Sequence, residues 1–221
     1  GCMAGNLLMT SAPFDDPDEG RIVMHFPVAM TADGVSIEEN WQAMGMRATG
    51  SHCVVLENVF VADDAIALKR PAEKFHPVWN TILVVALPLI VSAYVGIAEK
   101  AAENARQTAK GKTEDAARPY LLGEMENSLA MAQIAHQSMI DIADDLEFDA
   151  SEQLTNEIVK RKTIVVKSAL ETTTKALEAS GGPGYMRGHV IERLVRDSYA
   201  GIFHPMQEKR QLLFTGRMAM G

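Results

Sequence analysis

The stretch EASGGPGYMRGHVIERLVRDSYAGIFHPMQEK, residues 178–209, decides how this chain is read. A turn built from Gly181, Gly182, Pro183 and Gly184 interrupts a long helical pattern. An arginine–aspartate pair, Arg196 and Asp197, then leads into Phe203, His204 and Pro205. Glycines let a backbone approach a flat or charged group, and the residues after them supply charge and an imidazole that titrates near neutrality. The combination points to a ligand site at a helix junction. A helix C-cap followed by a tight turn accounts for the glycines equally well.

Working outward, the periodicity N-terminal to this stretch is helical back to about residue 77. Asn80 or Thr81 is placed to cap a helix that runs to Lys110 and stops at Gly111. A second helix is expected over 119–147, with Leu121, Leu122, Met125, Leu129, Ala132, Ala135, Met139 and Ile142 on one face. Ser151 caps a third, striped by Leu154, Ile158, Val165, Ala169 and Leu177, that ends at Gly181. Shorter helices are expected over 189–199 and 206–218, the last with Pro205 at its start. Long helices joined by short loops form an antiparallel bundle. The 13 methionines serve most simply as core filler.

Residues 1 to about 70 alternate with the period of strands, over 6–12, 21–28, 35–41 and 53–61. Turn signals separate them: the acidic run 13–20, Asp33-Gly34, and Thr49-Gly50-Ser51. Four strands are too few for an independent sandwich, so this half reads as part of a β domain. The fold class is therefore α+β: a partial antiparallel β domain over 1–72, then an antiparallel four-helix bundle over 73–221 with short C-terminal helices.

Composition narrows the function. A net charge of −8 with no basic cluster argues against a nucleic-acid partner. Two cysteines do not make a disulfide framework, which favours a reducing, cytoplasmic compartment. The six histidines lack metal-ligand spacing, so no metal site is expected. Residues 81–98 are almost uncharged and about long enough to cross a bilayer, but Pro88 lies mid-run and no basic flank sets an orientation. A helix buried on all sides of a bundle is the expectation, with no membrane partner.

Two blocks of sequence carry a resemblance. The first is Trp41 to Ser51, WQAMGMRATGS, followed by Leu56 to Val61, LENVFV; the second is Gly181 to Tyr185, GGPGY, followed by Glu192 to Asp197, ERLVRD. In this order they resemble the acyl-CoA dehydrogenase superfamily, and the likeness covers nearly the whole chain. The resemblance implies a flavoprotein that holds FAD, takes an acyl-CoA or other small organic substrate, and assembles as a homotetramer or dimer. It also implies that the sequence begins inside the family's middle β domain. Gly181, Gly182 and Gly184 become candidate cofactor contacts, as do Arg47, Thr49 and Ser51. The hydroxyls of Thr49 and Ser51 are equally suited to bonding their own turn.

Three departures from the family pattern stand out. Glu178 occupies the place of the glutamine that usually precedes the glycines. Gly111 and residues 112–115 replace the usual Arg-x-x-Phe after the first long helix. Most telling, the family's catalytic glutamate falls at Pro205, and its alternative position near Ala86 and Leu87, so neither place holds a carboxylate. Dehydrogenation needs that base to remove the α-proton while flavin takes a hydride. The run from His204 to Gly221 is instead similar to reduced-flavin monooxygenases on the same scaffold, which implies His204 as an acid or base. A capping histidine before a helix is the blander alternative. Three functions are thus carried forward: α,β-dehydrogenation of an acyl-CoA thioester, a reduced-flavin monooxygenase, and a non-catalytic helical oligomerisation module.

Overall fold

The computed structural model describes residues 1–111 and 116–221 and divides into two units, Gly1–His76 and Pro77–Gly221. In the first, β1 (Leu7–Asp16) and β2 (Gly20–Ala29) form a long antiparallel hairpin. The acidic run turns the chain only at its end. Asp16 accepts from the backbone amides of Asp18 and Glu19, which holds its carboxyl below the usual range, and Gly20 takes a positive φ of 77°. Pro13 therefore lies within β1, where an edge strand tolerates its missing donor.

β5 (Leu68–Pro71), a strand the alternation did not signal, pairs with the other side of β2 over residues 22–25. Pro27 sits beyond that pairing, so β2 holds it without losing a ladder bond to β5. Ile22, Phe26 and Val28 are buried on one face of β2.

β3 (Val35–Glu38) and β4 (Cys53–Leu56) make a separate two-stranded sheet, shorter at both C-terminal ends than the alternation suggests. Asn58, with φ 53°, ends the β conformation after β4. Gly34 is obligatory: its φ is 88°, and a Cβ there would stand 2.0 Å from the Glu57 carbonyl oxygen.

The second unit is built on three long helices: α1 (Val78–Ala109), α2 (Arg118–Ile142) and α3 (Glu152–Ser180). Their side-chain bonds give the directions. Arg106 reaches Glu126, Gln133 reaches Glu99, and His136 reaches the Pro88 carbonyl, so α1 and α2 are antiparallel. Arg161 to Ser138 and Lys175 to Glu124 make α2 and α3 antiparallel as well. The buried bond from Thr155 to Asn80 then runs α3 parallel to α1. A single turn, α4 (Gly182–Tyr185), follows α3, and α5 (Val190–Ser198) closes the bundle by packing against both α1 and α3. The last helix, α6 (Glu208–Met220), packs on α3.

Helix ends are set by side chains only in places: α1 begins at Val78 after Pro77 with no side-chain cap, ahead of the Asn80 or Thr81 expected to cap it. Ser151 accepts from the Leu154 amide at 3.1 Å and starts α3, as its sequence position suggests. α2 stops at Ile142, short of the expected 147, because Asp144, Asp145 and Leu146 all take positive φ. α1 is long and apolar enough to cross a membrane, but it lies in the bundle with Val84, Leu87, Val91, Tyr94, Val95 and Ala98 buried.

Two apolar clusters run through the bundle. One centres on Ala98, Ala101, Ala102, Met125 and Ile191; the other on Val84, Leu87, Val91, Met139, Ile158 and Val165. α3 packs against α1, α2, α5 and α6, so it buries polar residues along with its apolar stripe: Thr155, Asn156, Lys162, Ser168, Thr172 and Thr173. Hydroxyls satisfy part of this set locally, Thr172 donating to the Ser168 carbonyl and Thr173 meeting Ser198 at 3.0 Å.

Candidate functional site

The three sequence-derived clusters take distinct forms. In the β unit, Arg47–Thr49 form one 3₁₀ turn flanked by left-handed Met46 and Gly50. The turn is pinned by Trp41, whose indole Nε1 donates to the Met46 carbonyl and whose amide donates to His52 Nδ1. Thr49 Oγ1 donates to the Met46 carbonyl at 2.8 Å and lies 3.1 Å from Ser51 Oγ. Arg47 Nε donates to the Ala43 carbonyl at 2.8 Å. These side chains thus bond their own turn, with Ser51 and the Arg47 side chain exposed beside it.

In the helical unit the glycine turn separates into two kinds of position. Gly181 has φ 68°, a conformation that favours glycine, and no heavy atom lies within 4 Å of a Cβ built on it or on Gly182. Gly184 is different: a Cβ there would stand 3.0 Å from Ser180 Cβ and 3.2 Å from Leu177 Cδ1, so this glycine lets α4 pack on α3. The amides of Gly181 and Gly184 are already used, donating to the carbonyls of Glu178 and Gly181. Beside the turn lies a cleft of about 410 Å³ lined by Leu177, Tyr185, Arg187, Glu192, Val195 and Arg196. Tyr185, which lines that cleft, is 79% exposed. Arg196 is held by a two-pronged contact with Glu192 one turn earlier, at 3.0 and 2.7 Å.

His204 belongs to a third group. It is half-buried, and its Nε2 lies 2.7 Å from the Tyr94 hydroxyl of α1, with the two rings edge to face at 5.6 Å. It does not cap α6: that helix begins at Glu208 after Gln207, so Pro205 is not its first residue. Tyr94 is 1% exposed, and burial together with the negative charge of Asp197 pushes its hydroxyl up to about 12. The tyrosine therefore stays protonated, and its oxygen can accept from Nε2–H, an arrangement that leaves the lone pair of the neutral imidazole on Nδ1. Burial first, and the positive charge of Lys162 second, hold the His204 imidazole below its ordinary value.

Lys162 lies beneath this turn. Its side chain is 1% exposed and its Nζ donates to the carbonyls of His204 and Met206 at 3.0 and 3.2 Å. Burial lowers its ammonium, opposed by the nearby carboxylate of Glu208. Glu208 itself is paired with Lys167 at 3.1 Å, which holds its carboxyl below the usual range.

Neither Tyr94 nor Lys162 emerged from reading the sequence. Lys162 had a signal: it falls between Ile158 and Val165 on the apolar stripe of α3, where a charged residue must find buried partners. Tyr94 had none, being one aromatic in an apolar run. The position compared with the family's arginine after the first long helix falls largely on residues 112–115, outside the described residues.

Residues 89–208 match the family model described as the acyl-CoA dehydrogenase, C-terminal domain. The chain is 31% identical over 183 residues to the putative acyl-CoA dehydrogenase YdbM of Bacillus subtilis (strain 168), covering 78% of this chain and 46% of that protein. It is 28% identical over 229 residues to the dibenzothiophene monooxygenase of Mycolicibacterium goodii, covering 92% and 55%. The solved structure of KijD3 in complex with FMN and a dTDP-amino-keto-sugar superposes with a TM-score of 0.89 at 25% identity, over 99% of this chain and 56% of that one. The chain spans about half the length of the curated relatives it matches. It belongs to the acyl-CoA dehydrogenase family, whose members related to it include dehydrogenases, monooxygenases and nitrososynthases.

Proposed function

We propose that this acyl-CoA dehydrogenase family member serves a flavin-dependent oxidoreductase of the monooxygenase kind, in which His204 is the acid–base group acting on a small organic substrate. One observation carries the reading: a half-buried imidazole bonded to Tyr94 stands beside Pro205, where the family's dehydrogenases are expected to present a carboxylate. Glu208, the next acid along the chain, is committed to Lys167 at 3.1 Å.

The residues present fit a flavin. Open space over Gly181 and Gly182 and the cleft bearing the Tyr185 ring and the Arg187 guanidinium suit a flat, anionic dinucleotide or mononucleotide. Bound and reduced, flavin would supply the electrons and activate oxygen. The protein's part is the proton: Tyr94 engages Nε2, so His204 exchanges its proton at Nδ1. Because its environment favours the neutral form, His204 is ready as a base at neutral pH.

α,β-Dehydrogenation of an acyl-CoA remains the second reading, favoured by the 31% identity to YdbM. The two are separated by one pair of measurements on the flavin-loaded protein. Oxygen-dependent product formation from externally reduced flavin, lost in His204→Gln, is the expected result. Bleaching of bound flavin by any member of an acyl-CoA series without oxygen overturns it in favour of dehydrogenation. Failure to bind flavin at all removes both and leaves a helical assembly module.

We also infer self-association through the α1–α2 face, where Leu89 and Ile134 are 71% and 70% exposed with Met131 nearby. A monomer in light scattering would refute this.

A further inference from the structure

The one charged side chain among the largest fully buried residues of the described chain is Lys162. Burying an ammonium is unfavourable unless it is paired, and a methionine would fill the same space without that penalty. The charge therefore calls for a reason beyond packing. Its Nζ donates to the carbonyls of His204 and Met206, which lie on either side of Pro205. An ammonium seated between two carbonyls of one turn clamps that turn and directs its positive charge toward the imidazole it carries. Resting on the assignment of His204 as the acid–base group, we propose that Lys162 is a positioning residue that clamps the 204–206 turn against Tyr94 and holds the His204 imidazole neutral.

The charged and titratable groups that face this centre come from every packed element. α1 supplies Tyr94, with Asp197 of α5 acting on its hydroxyl. α3 supplies Lys162 itself and Lys167; α6 supplies Glu208 and Lys209. Glu208 attracts the Lys162 ammonium but is neutralised in turn by Lys167, so it does not cancel the effect on His204. Both causes acting on His204, burial and the Lys162 charge, favour the neutral ring. The Tyr94 hydroxyl then completes a chain from α1 through the imidazole to the backbone that Lys162 holds.

Carbon-13 NMR of histidine Cε1 tests this without flavin or substrate, with the His204 signal assigned by its loss in His204→Gln. Lys162→Met removes charge and clamp together; Lys162→Gln keeps an amide donor for the carbonyls but removes the charge. The expected result is an upward shift of the His204 midpoint in both, with a broadened signal in the methionine variant as the turn loosens. In the loaded enzyme, the acidic limb of the kcat profile should move up in parallel while KM stays within about twofold. An unmoved midpoint in the glutamine variant overturns the proposal. So does a wild-type midpoint at or above that of histidine in the unfolded chain, which needs no variant to fold. If the NMR shift occurs but His204→Gln leaves turnover intact, the functional reading fails and the electrostatic link survives. If turnover needs His204 while its midpoint ignores Lys162, this inference alone fails.

Discussion

Replacing Tyr94 by Phe isolates the bond on which the candidate site depends. The substitution removes one hydroxyl from a ring 1% exposed and leaves the ring's packing intact, so no cavity term enters. The lost contact is a 2.7 Å bond to His204 Nε2. A buried hydrogen bond of this kind contributes about 0.5–1.5 kcal/mol net, because His204 is half-buried and water can reach part of the vacated position. For a unit of roughly 150 residues, 1 kcal/mol corresponds to about 2–4 °C in Tm, so the far-UV circular dichroism melt should move down by about that much. Tyr94→Ala, which also empties a core position, should cost about 3–5 kcal/mol.

A double-mutant cycle with His204→Gln separates the bond from the ring. A coupling of about 0.5–1.5 kcal/mol is expected, since each single change already breaks the same contact. A Tyr94→Phe protein as stable as wild type, with coupling below about 0.3 kcal/mol, would show that the hydroxyl and imidazole do not interact. Under the proposed chemistry the same variant frees Nε2 and lets the neutral ring change tautomer, so turnover should fall even where stability barely moves.

Three further outcomes can be checked on stability alone. Ser151→Ala removes the acceptor for the Leu154 amide and should lower stability by about 1 kcal/mol, whereas Ser151→Asp should leave it nearly unchanged. Gly201→Ala places a Cβ 3.0 Å from Val166 Cγ1 and 3.4 Å from Tyr94 Cδ1, and should cost about 1–3 kcal/mol by overpacking; Gly182→Ala, which meets nothing within 4 Å, should stay within about 0.5 kcal/mol. Stability should fall as pH drops from about 6.5, because the unfolded chain then binds protons that the folded His204 and His25 resist. The His204→Gln protein should show a shallower decline in urea titrations across that window; an identical slope would remove His204 from the linkage.

Much of the bundle was legible because its signals are local. Met125, Leu129, Ala132, Ala135 and Met139 recur at helical spacing, and that face is the one α2 buries. Ser151 stops one pattern and starts another with a side chain that can reach only its own helix. The β half was harder. β5 consists of Leu68, Lys69, Arg70 and Pro71, four residues without alternation, and exists because β2 offers an unpaired edge. The end of α2 is not legible in the sequence either, since the run of left-handed residues after Ala143 has no glycine to announce it.

The candidate site divides the same way. His204 stood out by chemistry and by the motif before it, while the hydroxyls of Thr49 and Ser51 and the amides of Gly181 and Gly184 proved to bond within their own turns.

By itself the sequence determined that the chain is helical from about residue 77, that glycines break it at 181–184, and that Pro205 stands beside a histidine where an acid was expected. Those are statements about neighbours along the chain, where periodicity and side-chain type decide the outcome. Only the tertiary structure brought together Tyr94, Lys162 and His204, which lie on three separate elements up to 110 positions apart. Burial among packed helices, which no local pattern encodes, lowers the histidine, raises the tyrosine and makes the buried ammonium seek carbonyls.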